Sequence, residues 1–185
     1  MTNTIPPVPT LGAPRLRLRP FAATDVDDLF AMQSDPVVMR YWSYPAYTER
    51  AQAEAKVESI QAEMRAREVY PWAIADRATD RLLGHCTLFA LERAHARCEV
   101  GYALSRAAQG RGLASEAVRC ALTHVFDTLG MERIEADVDP RNDRSVRLLE
   151  RLGFRREGLL RARWRVSGEV QDAYFYGLLR AEFVR

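Results

Sequence analysis

Cysteine and lysine are scarce in this sequence, and long apolar runs are missing from it. The three cysteines are odd in number and widely spaced, which argues against a disulfide framework and for a reducing cytoplasm. No apolar run approaches the ~20 residues of a membrane-spanning helix. The first ten residues lack the basic and apolar regions of a secretory signal. We therefore expect a cytoplasmic protein with no membrane partner.

Lysine occurs once, at Lys56, and arginine supplies the rest of the positive charge, giving a formal net charge of +2. A charge of this size is too small to indicate a nucleic-acid partner. His85 and Cys86 are adjacent, but no C-x-x-C or H-E-x-x-H spacing accompanies them, so we predict no metal site. The 48% of hydrophobic and 28% of charged residues are typical of a folded globular protein.

The pattern along the chain predicts one α/β (α+β) domain over residues 15–185, preceded by a flexible, proline-rich lead-in over residues 1–14. Period-2 alternation predicts a strand at 15–19, and three strand-like runs further along form an antiparallel meander. A strand–loop–helix–strand crossover occupies residues 98–138, and a final hairpin turns at Ser167-Gly168. We expect a mixed, mostly antiparallel sheet of about seven strands.

The most informative segment is a glycine-containing loop at the start of a predicted helix, Gln109-Gly110-Arg111-Gly112-Leu113-Ala114. The first turn of a helix has unpaired backbone N–H groups and partial positive charge, which suit a phosphate. Gly110 and Gly112 allow the backbone to approach a diphosphate without a Cβ clash. The loop lacks the lysine of G-x-x-x-x-G-K-[ST], and Ser115 stands where G-x-G-x-x-G needs its last glycine.

This loop resembles the Q/R-x-x-G-x-G/A signature of the GNAT superfamily of N-acetyltransferases. A second block, Asn142-Asp143-Arg144-Ser145 followed by Gly153-Phe154, resembles the superfamily's N-x-x-S…GF block. The opening Leu16-Arg17-Leu18-Arg19-Pro20 and the closing hairpin at Asp172 are similar to the branch that includes the ribosomal-protein alanine acetyltransferases. The two blocks occur in the expected order on the expected elements, so the resemblance is specific.

The resemblance implies a sheet that splays between its fourth and fifth strands, with helices on both faces. It also implies acetyl-CoA as co-substrate, with its diphosphate on the loop and its pantetheine arm in the splay. Asn142 would hydrogen-bond this arm, and Ser145 would reprotonate the departing thiolate. The cofactor-binding residues so implied are Val100, Tyr102, Ala103, Leu104, Gln109, Gly110, Arg111, Gly112, Leu113, Ala114, Ser115, Asn142 and Ser145.

Two catalytic residues are predicted, each with a simpler alternative. Ser145 lies on an inward-facing stripe of a predicted helix, so its hydroxyl needs a hydrogen-bond partner. That partner is either the departing thiolate, which Ser145 would reprotonate, or a carbonyl of the preceding helical turn. Glu99, on the strand before the loop, is the candidate base that takes the amine proton, directly or through water. A surface carboxylate paired with an arginine is an equally good interpretation of Glu99.

The acceptor site is predicted to be lined by Tyr41, Trp42 and Tyr44, although each ring could instead cover the core. We expect transfer of acetyl to a primary amine, either a protein N-terminus or a small molecule, by a monomer or homodimer. Trp164 stands where the ribosomal-protein enzymes carry a glutamate near the cleft, which weakens the case for a ribosomal substrate. The alternatives are a non-catalytic acyl-CoA-binding domain and a nucleotide-binding module.

Overall fold

The structure, a computed structural model, describes residues 6–184. Within them, eight strands form one sheet: β1 Leu11–Gly12, β2 Leu16–Arg19, β3 Tyr70–Asp76, β4 Leu82–Glu92, β5 Arg97–Leu104, β6 Arg133–Val138, β7 Arg155–Val166 and β8 Glu169–Leu179. The α-helices in the same residues are α1 Val26–Gln33, α2 Pro36–Met39, α3 Arg50–Ala66, α4 Leu113–Asp127 and α5 Asp143–Arg151. In this part of the chain, no helix combines the length and the apolar character that crossing a membrane requires.

The sheet has the order β1-β2-β3-β4-β5-β6-β8-β7, and β5 and β6 run parallel where the other neighbouring strands are antiparallel. Helix α4 makes the long connection that two parallel strands need. The register pairs Arg97 with Arg133 and ends with Glu99 opposite Glu135. Within residues 6–184, the remainder of β5 has no pairing partner on β6, so the two strands separate toward the C-terminal end of β5.

Helices cover both faces of the sheet, because alternate strand residues are apolar on both sides. On one face, α4 and the buried Leu148 and Leu149 of α5 pack against strand residues that include Cys98 and Val100 of β5. On the other face, α1, α2 and α3 pack around residues that include Ala103 of β5. Strand β5 therefore contributes to two separate hydrophobic layers.

The α/β fold class, the splay and the helices on both faces are confirmed. The sheet has one strand more than expected, because Leu11 and Gly12 pair with β2. The splay therefore lies between the fifth and sixth strands and not between the fourth and fifth. Both residues fall in the segment predicted to be flexible, and this part of it is an ordered strand. Trp72 contributes to the order, since its indole N–H donates to the Pro9 carbonyl at 2.9 Å. The lead-in before residue 6 lies outside the described residues, and the domain boundary at residue 15 stays a prediction.

Candidate active site

A cleft of about 710 Å³ opens where β5 and β6 separate. The loop before α4 and the start of α5 line one side of it, and α2 with the segment after α2 lines the other. Tyr102 and Leu104 pack with the α4–α5 layer and Ala103 with the α1–α3 layer, and all three contribute to the lining. The cleft therefore extends through the opening in the sheet and borders both helical layers.

The loop that leads into α4 has the backbone geometry of a phosphate site. Gly110 and Gly112 have φ angles of +74° and +76°, which residues with a side chain rarely adopt. A Cβ added at Gly110 would have no described protein atom within 4 Å, so the backbone there is open to a ligand. Helix α4 begins at Leu113, and the N–H groups of its first turn have no carbonyl acceptor inside the helix. This combination can bind a diphosphate.

Two polar side chains hold this loop in place. The guanidinium of Arg15 donates to the Arg111 carbonyl at 2.9 Å and to the Glu116 carboxylate at 2.7 Å, which ties the start of β2 to the loop and to α4. The Gln109 amide donates to the last carbonyl of β5 at 3.0 Å and accepts from the Arg144 guanidinium at 2.9 Å. The loop is therefore fixed to β5, α4 and α5 by the protein itself.

Strand β5 and the start of α5 bring two hydroxyl groups together at the cleft. Asn142 caps the helix by accepting a hydrogen bond from the Ser145 backbone N–H at 3.2 Å, which leaves its own side-chain N–H groups free to donate to a ligand. The Ser145 and Tyr102 hydroxyls share a hydrogen bond of 2.7 Å. Burial raises the pKa of Tyr102, so its hydroxyl stays protonated at physiological pH. The partner of the Ser145 hydroxyl is thus Tyr102 and not the preceding helical turn.

Glu99 does not line the cleft but lies earlier on β5, next to Asp137 of β6 and Arg163 of β7. Burial raises the pKa of Glu99, the negative charge of Asp137 raises it further, and Arg163 opposes both. Arg163 is itself paired with Asp137, at 2.7 Å. A carboxylate with a raised pKa is a stronger base, so this environment favours proton uptake by Glu99.

The aromatic segment after α2 is divided between the cleft and the interior. Tyr41 and Trp42 line the cleft. Tyr44 does not, because its ring packs 5.5 Å from that of Trp42 and its hydroxyl accepts a hydrogen bond from the Gln33 amide at 3.1 Å. Behind Trp42, at 5.3 Å between ring centroids, lies His85, and burial lowers its pKa to about 4, so the imidazole is neutral. The rings of this wall are therefore uncharged, and its one charged group among the described residues is the guanidinium of Arg40, which lies 5.3 Å from the centre of the Tyr41 ring.

Most of the predicted cofactor-binding residues meet at the cleft. Those that line it are Tyr102, Ala103, Leu104, Gln109, Gly110, Gly112, Leu113, Ala114, Ser115, Asn142 and Ser145. Val100 does not, because its side chain is buried in the core beneath α4. Arg111 does not line the cleft either, and its carbonyl accepts a hydrogen bond from Arg15.

Sequence reasoning missed a set of charged residues in the lining. The arginines that line the cleft are Arg40, Arg141, Arg144, Arg147 and Arg151, and Asp143 is the one acidic residue among the described lining residues. Three of these arginines come from one face of α5. Their spacing of i, i+3 and i+7 was a signal in the sequence, since residues so spaced share a side of a helix.

The sequence matches the family described as the acetyltransferase (GNAT) domain over residues 15–155. The chain belongs to this family. It is 35% identical over 174 residues to the uncharacterized N-acetyltransferase p20 of Bacillus licheniformis, covering 94% of this chain and 98% of that protein. It is 27% identical to spermidine N(1)-acetyltransferase of Escherichia coli (strain K12), covering 88% and 84% of the two proteins. RimJ of Mycobacterium smegmatis in complex with CoA-disulfide superposes with a TM-score of 0.85 over 96% of this chain and 90% of that one, at 23% identity, which supports the shared fold.

This GNAT protein is an N-acetyltransferase that moves acetyl from acetyl-CoA to an amine. The open glycine loop and the splayed strands fit that co-substrate. Within residues 6–184, no group of three or more histidine, cysteine, aspartate or glutamate side chains is arranged to hold a metal ion. The roles of Ser145 and Glu99, the oligomeric state and the cytoplasmic location stay predictions.

Proposed function

We propose that this acetyltransferase acetylates a primary amine of a small molecule, which enters the cleft from the α1–α3 side while acetyl-CoA occupies the α4–α5 side. The observation that carries the proposal is the cleft at the splay, with the glycine loop on one side and the aromatic wall of Tyr41 and Trp42 on the other. The 27% identity to a spermidine N(1)-acetyltransferase supports a small-molecule acceptor.

The reaction forms a C–N bond and breaks a C–S bond, and we assign one residue to each proton movement. The attacking amine loses a proton, which Glu99 accepts. Because Glu99 precedes Tyr102, the first residue of β5 that lines the cleft, by three residues, roughly 10 Å of backbone separate it from the cleft. Ordered water carries the proton between them. At the departing sulfur, the Ser145 hydroxyl gives its proton to the thiolate and takes one back from water, with Tyr102 holding that hydroxyl in place.

The direct test supplies the purified protein with acetyl-CoA and a panel of acceptors that includes spermidine, spermine, an aminoglycoside and a peptide with a free N-terminus. Thiol release and the mass of the acceptor are measured. We expect release only when a small amine is present, and an acetylated amine as the product. Binding of acetyl-CoA with no amine-dependent release would indicate a non-catalytic binding domain instead. Acetylation of the peptide alone would refute the small-molecule acceptor.

The role of Glu99 is tested with Glu99→Gln, which we expect to lower kcat/KM by about 10²–10⁴-fold, the usual effect of losing a general base. A plot of log kcat/KM against pH distinguishes a base from a structural residue. The amine must be unprotonated to attack, which gives the plot a slope of one below the pKa of the amine. Glu99 must also be ionised, so the slope rises to two below the pKa of Glu99. The variant should retain the slope of one only.

The matched control for this experiment is Glu58→Gln, an exposed carboxylate on α3. Its pH profile should match that of the unmodified protein. A Glu99→Gln variant that still shows the slope of two, or that loses less than tenfold in kcat/KM, would remove Glu99 from the mechanism.

A further inference from the structure

Arg40 stands at the end of α2, on the acceptor side of the cleft. The residue is exposed, and its guanidinium lies 5.3 Å from the centre of the Tyr41 ring. A ring face attracts the cation without using its N–H donors, so these donors are available to a ligand. Arg40 therefore presents a cation on a wall that is otherwise formed by valine, tyrosine and tryptophan side chains among the described lining residues.

This guanidinium has no carboxylate partner within residues 6–184, where its printed contact is the Tyr41 ring. The acidic residues of the neighbouring segments are bound by other arginines. Asp35, which caps α2, pairs with Arg106 at 2.7 Å. Asp139, which follows β6, pairs with Arg141 at 2.6 Å. An unpaired cation that lines a binding cleft attracts an anionic ligand group.

The charge of Arg40 acts as far as the connection between β6 and α5. Burial raises the pKa of Asp139 in this connection, but hydrogen bonds from Arg141 and the charges of Arg141 and Arg40 lower it, and the resulting pKa is below its usual value. The same connection leads to Asn142 and Ser145 at the cleft. An anion bound by Arg40 would therefore lie on the acceptor side of the reacting centre and away from the loop before α4.

The charge of the whole lining disfavours an acceptor with several ammonium groups. Among the described lining residues, five are arginines and one is an aspartate. A polyamine would bring like charges to this lining, which lowers its affinity. An amine that also carries a carboxylate has the opposite charge for Arg40, and a carboxylate matches the fork of a guanidinium. The half-buried rings of Tyr41 and Trp42 offer apolar area to the remainder of such a molecule.

We infer that Arg40 binds a carboxylate of the acceptor, and that the acceptor is an amino acid with an apolar side chain. The inference rests on the proposed function, because it names the class of the small amine. The carboxylate pairs with Arg40, the side chain packs on Tyr41 and Trp42, and the amine faces the thioester. The amine forms the C–N bond as the C–S bond breaks, its proton leaves and the thiolate gains one, so the products are the N-acetylamino acid and CoA.

The test measures thiol release with two acceptors that differ in the group assigned to Arg40, L-phenylalanine and L-phenylalaninamide. The proteins are the unmodified chain, Arg40→Gln, Arg40→Lys and the control Arg65→Gln, an exposed arginine on α3 that does not line the cleft. We expect Arg40→Gln to lower kcat/KM for phenylalanine by about tenfold, the usual effect of losing a charge-assisted hydrogen bond, and to leave kcat/KM for the amide unchanged. Arg40→Lys should retain part of the activity on phenylalanine, and the control should match the unmodified chain.

Each comparison is made between two proteins on one acceptor, so the different pKa values of the two amines cancel. Arg40→Glu gives a second readout that a structural role would not produce. This variant should be slower on phenylalanine than Arg40→Gln, and it should raise kcat/KM for spermidine, because the reversed charge repels a carboxylate and attracts an ammonium group. Thermal unfolding checks that these exposed substitutions leave the fold intact.

Several results would refute the role of Arg40. They are equal losses on both acceptors in Arg40→Gln, full activity of that variant on phenylalanine, and acetylation of other small amines but not of phenylalanine by the unmodified chain. Weaker binding of CoA to Arg40→Gln, measured by calorimetry, would assign Arg40 to the co-substrate instead. Failure of the proposed function looks different, because the unmodified chain would then release no thiol with any small amine.

Discussion

The two sides of the cleft are built in different ways. On the α4–α5 side, the groups that we predict to bind CoA are backbone N–H groups in a fixed loop, and side chains such as Arg15 and Gln109 hold that loop at distances of 2.7 to 3.0 Å. On the α1–α3 side, the wall consists of side chains, which include the half-buried rings of Tyr41 and Trp42 on a segment without regular structure. A main-chain site requires particular backbone conformations, whereas a side-chain wall can change its shape by substitution.

This difference predicts which property of the enzyme depends on each side of the cleft. Changes in the glycine loop should alter the affinity for acetyl-CoA and leave the choice of amine unaffected. Changes on the opposite side should alter the reaction of the amine and leave CoA binding unaffected. Tyr102 and Ser145 lie between the two sides, where we propose that the thioester reacts. Three substitutions test this division, and they are taken here from the largest expected effect to the smallest.

The largest effect is expected from Gly112→Val. Gly112 has a φ of +76°, so a β-branched side chain there strains the backbone and also occupies the space beside the loop N–H groups. If two N–H bonds to the diphosphate are lost at roughly 1.5 kcal/mol each, CoA binding falls by more than about a hundredfold. The strain itself should lower the free energy of unfolding by about 1–2 kcal/mol. Calorimetry with CoA and thermal unfolding measure the two effects.

The matched control is Gly130→Val, at the opposite end of α4. Gly130 has a φ of +68°, and a Cβ there would meet no described atom within 4 Å. It should therefore lose a similar amount of stability and keep its affinity for CoA. Equal loss of CoA affinity in both variants would mean that strain, not occupation of the phosphate site, explains the effect.

An intermediate effect is expected from Tyr102→Phe. The substitution removes the 2.7 Å hydrogen bond to the Ser145 hydroxyl and keeps the ring, so kcat should fall about tenfold while KM for acetyl-CoA stays unchanged. Because the two residues act as one unit, the double variant with Ser145→Ala should be no slower than Ser145→Ala alone. The control is Tyr176→Phe, which loses a hydroxyl bond to Glu150 outside the cleft. Additive losses in the double variant would contradict the pairing.

The sequence predicted the α4–α5 side because its determinants are local. Glycines at positions that need a positive φ, a helix start and a capping asparagine all stand within short segments, and the structure has each of them at the cleft. The crossover from β5 to β6 followed from the same pattern. What could not be predicted depends on long-range contacts. Arg15 reaches the loop across 96 residues of sequence, and no local pattern encodes that bond.

Other differences have similar physical causes. Tyr44 was predicted either to line the acceptor site or to cover the core, and its hydroxyl accepts from Gln33 while its ring packs inside, outside the lining of the cleft. Composition in a short aromatic segment cannot distinguish the two positions, since both bury a ring. Leu11 and Gly12 form a strand although prolines surround them, because β2 offers a free edge and Trp72 fixes the preceding segment. In this segment, pairing with a neighbouring strand outweighs the low strand propensity of the local sequence.

The smallest effect, on the α1–α3 side, is expected from Asp137→Asn. Burial and the charge of Asp137 raise the pKa of Glu99, so removal of that charge should lower the pKa and move the acidic limb of kcat/KM to lower pH. The substitution also frees Arg163 from its ion pair with Asp137. The positive charge of Arg163 favours ionised Glu99, so it lowers the pKa of Glu99 further. At fixed neutral pH the change in kcat/KM should stay below about fivefold, the range of a partly solvated charge pair.

The companion variant Arg163→Gln should move the same limb the opposite way, to higher pH, because it removes the cation that lowers the pKa of Glu99. The other charged groups that act on Glu99, Glu135 and Arg97, are unchanged in both variants. KM for acetyl-CoA should be constant throughout, as the division between the two sides requires. Shifts of the same sign in the two variants would show that the limb belongs to a group other than Glu99. A change in CoA affinity would show instead that the two sides are not independent.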